Sequence, residues 1–199
     1  MNPLPSAADV TGFHDAWLAG SRGPRTGTLW PAIENNHRHN CLLWDEEDLA
    51  RRRNVPDSEI AANKRAIDGY NQKRNDAIER IDEALLAALA DARCAADATL
   101  NSETPGAMTD RLSILSLKIH HMRLQTVRGD VDREHIATCT AKLARLDEQR
   151  ADLAGCFDRL LAECRTGAGC FKVYRQFKMY NDPKLNPAVY NESKRPSRS

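Results

Sequence analysis

Residues 30–53, WPAIENNHRHNCLLWDEEDLARRR, carry a concentrated set of side chains that can do chemistry. Wound as an α-helix at about 100° per residue, the stretch aligns Trp30, Glu34, His37, Asn40, Trp44, Asp48 and Arg51 on one stripe. A bundle helix would normally carry Leu, Ile and Ala there. Indoles, carboxylates, an imidazole, an amide and a guanidinium are costly to bury unless each finds a partner. Other helices or a ligand must therefore answer them.

The chemistry such a set offers is recognition of a phosphorylated, polyhydroxylated ligand. Arg51, with Lys64, Arg74, Arg111 and Lys118 elsewhere in the chain, can grip phosphate, the arginines through a bidentate fork. Trp30 and Trp44 can stack on a sugar or base, and Asn40, Asn71 and Asn75 supply amides that both donate and accept. His37 beside Asp48 or Glu34 can serve as a general base. The residues specify a site and not a reaction.

Five helices are expected to position these groups. A short one over residues 7–18 is followed by the turn-rich SRGPRTGT. The first long helix starts near Pro31 and stops before Val55-Pro56, because a residue preceding proline avoids the helical region. The second, capped by Asp57 or Ser58, runs over 57–96. Its stripe from Lys64 through Asp68, Asn71 and Asn75 to Ile78, Asp82, Leu85 and Leu89 turns from polar to aliphatic, so only one half of its inner face meets something polar. Gly69, within that helix, is expected to mark a close approach. The third and fourth long helices are predicted over 107–128 and 132–164, the latter ended by Gly167 and Gly169. Phe171, Tyr174, Phe177 and Tyr180 recur every third residue and predict a short helix laying an aromatic edge on the others. The fold class is all-α: an antiparallel bundle of four main helices with a short N-terminal helix and a C-terminal aromatic helical cover. Residues 1–29 form an N-terminal arm, 30–190 one helical domain and 191–199 a flexible basic tail.

Short connections make neighbouring helices antiparallel, so levels can be counted from each turn. Around 54–56, His37 and Asn40 share a storey with Asn71 and Asn75, while Asp48 and Arg51 lie level with Lys64. Around Asn101, Asp82 falls close to His121, and Asp110-Arg111 falls level with Arg93, joining the cluster only if the loop shifts the register.

Composition excludes several classes. A formal charge of +1 argues against broad phosphate neutralisation on nucleic acid. The first twenty residues lack a basic start and a continuous apolar run, and no stretch approaches the ~20 apolar residues of a membrane span. A cytoplasmic protein is expected. The six cysteines include no CxxC pair and read as small apolar fillers rather than a zinc knuckle.

IENNHRHNCLLWDEEDLARR, YNQKRNDAIERID, NSETPGAMTDRLSILSLKIHHM and YRQFKMYNDPKLNPAVY, in that order, resemble an uncharacterised bacterial family, domain of unknown function 4254. The family pattern singles out His37, Asn40, Trp44, Glu47, Asp48 and Arg51. It also singles out Asn75, Asp76, Asp110, Arg111, Lys118, Tyr180, Asn181 and Asp182. Members tend to accompany glycosyltransferases of surface-polysaccharide assembly, which implies an association with glycan or lipopolysaccharide synthesis and no particular chemistry.

The favoured reading is a pocket between the first two long helices for a phosphosugar or nucleotide-sugar. His37 and Asp48 are its candidate catalytic residues. Its ligand-binding candidates are Glu34, Asn40, Trp44, Glu47, Arg51, Asn71, Asn75, Asp76, Asp110, Arg111, Lys118 and His121. No cofactor or metal is expected. One alternative is a non-catalytic interaction protein docking on a glycosyltransferase. Another is a divalent-metal pyrophosphohydrolase using Glu47-Asp48 and Glu79-x-x-Asp82, a reading weakened by the roughly 24 Å that level counting puts between those pairs. A di-iron site would need a second partner for the lone Glu34-x-x-His37. The plain competitor is a ligand-free polar core in which His37, Arg51 and Asp82 pair with Glu34 or Asp48, with Asp48 and with His121, and only fix helix register.

Overall fold

The computed structural model describes residues 4–23, 25–177, 179, 182 and 184–192. The chain is mostly helical: α1 Ala7–Leu18, α2 Trp30–Leu49, α3 Asp57–Ala88, α4 Pro105–Thr126, α5 Arg133–Thr166 and a short α6 Pro187–Glu192. Two strands that the sequence did not announce, β1 Thr99–Leu100 and β2 Gly169–Cys170, pair in parallel. No described helix is long and apolar enough to cross a membrane.

The helix ends follow local chemistry. Ser6 and Asp9 close a capping box at α1, Thr104 caps α4 ahead of Pro105, and Asp132 caps α5. At α3 the cap position belongs to Pro56, without a side-chain bond, so Asp57 acts from the first turn beside Glu59 instead. Gly167 ends α5 at φ +80°, and a Cβ there would lie 2.3 Å from the Arg93 carbonyl oxygen. That contact explains why α3 stops at Ala88 rather than 96. The connector turns to run beside the end of α5, with Ala95 N–H donating to Gly167 O at 2.9 Å. Gly69 is exposed with open space around it and marks no close approach.

The helix α4 is the hub, packing against α1, α2, α3 and α5. Pairs in contact give the directions. Glu46–Asn63 and His39–Tyr70 run α2 against α3. Asp82–Gly106 and Arg74–Asp110 run α3 against α4, and Arg123–Asp147 with Ser116–Arg150 run α4 against α5. Helix α1 lies across α4 and α5, its Ala7 N–H donating to Asp158 and its Asp15 accepting from Arg150.

Ile81 and Leu85 of α3, Leu112 of α4 and Phe157, Leu160 and Leu161 of α5 form the apolar core with Ile33, Val10 and Phe13. The polar-to-aliphatic switch in α3 matches this layout: its aliphatic half meets the core, while Asn71 and Arg74 line a cavity. Gly106 lets α4 approach α3, because a Cβ there would lie 2.5 Å from Ile78 O and 2.8 Å from the Asp82 carboxyl. Gly106→Ala is expected to destabilise the fold by about 3 kcal/mol, read as a lower urea midpoint. An unchanged midpoint would mean the two helices part freely there.

Residues 171–177 form no helix. Phe171 is buried but Tyr174 and Phe177 are exposed, so the expected aromatic cover is not formed over these residues. The reason lies in α3: Glu79 and Glu83 hold Arg175, and Glu79 also accepts the Gln176 N–H, which ties the segment down by its polar groups.

Candidate functional site

The inward face of α2 runs through Ile33, Asn36, His37, Asn40 and Leu43. It is rotated from the stripe expected around Glu34, because Ala32 and Ile33 take the apolar contacts at its start. Glu34, Asp48 and Arg51 are exposed, His37 and Asn40 are buried, and Trp30 and Trp44 are half-buried.

Beneath this face lies a polar cluster that joins α2 to α4. Asn36 Nδ2 and Asn40 Nδ2 each donate to Asp110 Oδ1 at 2.9 Å. Asn40 Nδ2 also reaches Ser113 Oγ at 3.0 Å, and His37 Nδ1 shares a 2.7 Å hydrogen bond with the same oxygen. Arg74 Nε stands 3.9 Å from Asp110 Oδ1, inside ion-pair range and beyond hydrogen-bond reach. Asp110 thus joins the cluster, while Arg111 turns outward to Glu103. Asn36, a central donor, lies beside the stripe that helical periodicity predicts; its i, i+4 relation to Asn40 is the sequence signal that points to it.

Among the described residues His37 has no carboxylate partner. Its ring stacks on His14 of α1 at 4.4 Å between centroids, with Phe13 and Trp17 edge-on around it. Burial pushes the His37 pKa down to about 4. It pushes His14 well below the ordinary value too, helped by neighbouring His37 and Arg150. Both ring nitrogens of His14 are buried without a hydrogen-bond partner among the described residues. The expected His37–Asp48 and His37–Glu34 pairs are not formed. Asp48 lies eleven residues further along α2, roughly 16 Å at ~1.5 Å per residue, and Glu34 points to solvent.

The expected Asp82–His121 pair is absent as well. Asp82 accepts from Gly106 N–H at 2.6 Å at the start of α4, and burial raises its pKa to about 6. His121 lies some fifteen residues beyond Gly106 and stacks on Trp44, centroids 4.4 Å apart and planes 6° from parallel. The early end of α3 moved the fold-back toward the N-terminus. Arg74 rather than Arg93 therefore stands level with Asp110.

Three cavities open along α4. The first, 360 Å³ between α2, α3 and α4, is walled by Asn40, Trp44, Glu47, Asp48, Arg51, Asn71 and Arg74 over a floor of Ile114 and Leu117. A second, 510 Å³, shares Trp44 and Asp48 with it and adds Lys118, His121, Lys142 and Arg145. A third, 880 Å³ between α4 and α5, shares Ile114 with the first and Lys118 with the second, and includes Arg111. Six of the predicted site residues line the first cavity, and Arg111, Lys118 and His121 line the adjoining two. His37 and Asp110 lie beneath and line none of the three.

The remaining candidates serve other contacts. Asn75 is buried, accepting from Arg74 and donating to Gln176 at 2.7 Å, and Asp76 accepts from Gln72. Lys64 is exposed and pairs with Asp68. Trp30 packs between Phe13 and Arg25 as core filling. Tyr180 and Asn181 lie outside the described residues. Among the described residues no three His, Cys, Asp or Glu side chains are grouped as a metal ion needs.

Neither the curated proteins nor the solved structures contain a match to this chain. Residues 30–173, which carry α2 to α5 and every wall of the three cavities, match the family described as protein of unknown function (DUF4254), and the chain belongs to that family.

Proposed function

We propose that the chain binds a phosphorylated sugar or nucleotide-sugar in the linked cavities along α4. The observation that carries this is the wall of the first cavity, where Arg51 and Arg74 stand beside Asn40, Asn71 and Trp44. Two guanidinium groups and two amides on one wall supply the donors that phosphate and sugar oxygens accept from. The cavity sizes suit a small molecule, where sites run to ~300–1,000 Å³. The parallel Trp44–His121 pair offers an aromatic wall, and Lys118, Lys142 and Arg145 beside it can take a diphosphate.

His37 sits below the site as a positioning residue, orienting Ser113 and through it Asn40. Asp48 is the acid or base available in the shared wall should the ligand react. The setting in surface-glycan (lipopolysaccharide-type) biosynthesis, in the cytoplasm and next to a glycosyltransferase, rests on the company that the family resemblance implies. We also read the four long helices as one antiparallel bundle centred on α4, as the pairwise directions suggest.

A thermal-shift screen of UDP-glucose, GDP-mannose, glucose 1-phosphate and magnesium tests the proposal. A ligand at a hundred times its Kd is expected to add about 2.7 kcal/mol. Lys118→Ala and Asn71→Ala should fold as the parent does and lose about tenfold in affinity each. No shift with any nucleotide-sugar or sugar phosphate would overturn it.

A further inference from the structure

The C-terminal segment beyond β2 carries a surface that the cavities do not explain. Phe177 is 88% exposed, Met179 58%, Leu185 53% and Tyr174 52%, the densest run of uncovered large apolar side chains among the described residues. From 172 to 199 the sequence sets seven Lys or Arg against two acidic residues, in a chain whose formal net charge is only +1. The rest of the sequence is therefore net acidic, and the stretch of sequence that carries these exposed groups is the one with the cationic excess.

We propose that this segment docks the protein on an anionic lipid surface. An interface with another protein favours aromatic residues but sheds lysine from its centre. Here Lys172 and Lys184 are interleaved with Tyr174, Phe177, Met179 and Leu185. A charged bilayer surface takes both kinds: Phe and Tyr rings settle at head-group depth, and lysine stems cover apolar surface while their ammonium groups meet phosphate. The segment needs no helix for this, because single side chains insert.

The segment is tied to α3 just before the point of insertion. Arg175 is held by Glu79 and Glu83, the Gln176 N–H donates to Glu79 Oε1 at 3.0 Å, and Asn75 Nδ2 donates to Gln176 Oε1 at 2.7 Å. Phe177 follows directly. Docking through it would fix α3, and with it Arg74 beside Asn75, at a set distance from the lipid. The surface lies apart from the cavities, so the inference does not depend on what they bind.

Flotation of the full chain with vesicles tests it. The protein is expected to float with phosphatidylcholine–phosphatidylglycerol vesicles and not with phosphatidylcholine alone, and added salt should release it. The double variant Phe177→Ser, Met179→Ser removes only exposed side chains. It should keep the parental melting temperature and lose about tenfold or more in vesicle partitioning. Equal binding to both vesicle types, or unchanged binding by the double variant, would overturn the proposal. So would vesicle-free self-association that the same double variant abolishes, which would make the patch a contact between copies of the chain.

Discussion

Acidification is expected to weaken the fold through two stacked histidines, His14 and His37. In the folded protein His37 titrates at about 4 rather than 6.5, and His14 is displaced in the same direction. Between those values the unfolded chain binds protons that the folded one refuses. Stability therefore climbs with pH up to 6.5 and is flat above it. The shift at His37 corresponds to about 3 kcal/mol lost by the time the solution reaches its folded pKa, at roughly 1.36 kcal/mol per unit. Asp82 opposes this. Its folded pKa near 6 lies above the ordinary 3.8, so over that window the folded state holds the extra proton and acid stabilises it. One carboxyl against two imidazoles leaves the histidines dominant. Urea titrations across this range should show the net loss. His14→Leu should flatten it without harming stability at neutral pH, because both of its ring nitrogens lack partners already. Asp82→Asn should steepen it. A stability curve that rises on acidification would mean the stacked pair is not buried as described.

How much of this was legible in the sequence differs from element to element. Helix α1 was placed to the residue, and the starts of α2 to α5 fell within two residues, since proline, Ser, Thr and Asp mark helix beginnings by local chemistry. The end of α3 was missed by eight residues. ALADARC offers no glycine or proline to stop a helix, and what turns the chain is a tertiary contact with Gly167 and the β1–β2 pairing. That one error moved every level counted across α3 and α4. It separated Asp82 from His121 and brought in Asp110, the shift the count had named as the condition for Asp110 to join. Within α2 the polar face was legible as a face, though not its centre: a rotation of one or two residues exchanged Glu34 for Asn36. The aromatic triplet spacing after β2 misled because the Glu79 and Glu83 side chains that hold Arg175 lie nearly a hundred residues away. The His14–His37 stack joins an arm outside the family match to a residue within it, and no local pattern announces such a contact.

Replacing Asp110 separates what the polar cluster does for the fold from what the cavities do for a ligand. Asp110→Ala is expected to cost about 3–5 kcal/mol, because one carboxylate oxygen accepts from both Asn36 and Asn40 and is the counter-charge for Arg74. Two buried amides would be left without that acceptor, and each unsatisfied group costs roughly 1–3 kcal/mol. Asp110→Asn keeps an acceptor while removing the charge, and should cost no more than about 2 kcal/mol. Lys118→Ala, on an exposed side chain in the wall, should leave the urea midpoint where it was. If the order is inverted, with Asp110→Ala nearly silent and Lys118→Ala damaging, the cluster does not hold α2 on α4. The hydrogen bonds of Asn36 and Asn40 would then be incidental to stability, and Asp110 would have to be explained by a ligand instead. If the expected order holds, Asp110, Asn36 and His37 belong to the frame. The recognition proposed for this protein would then fall to Arg51, Asn71, Arg74, Trp44, Asp48 and Lys118 above it.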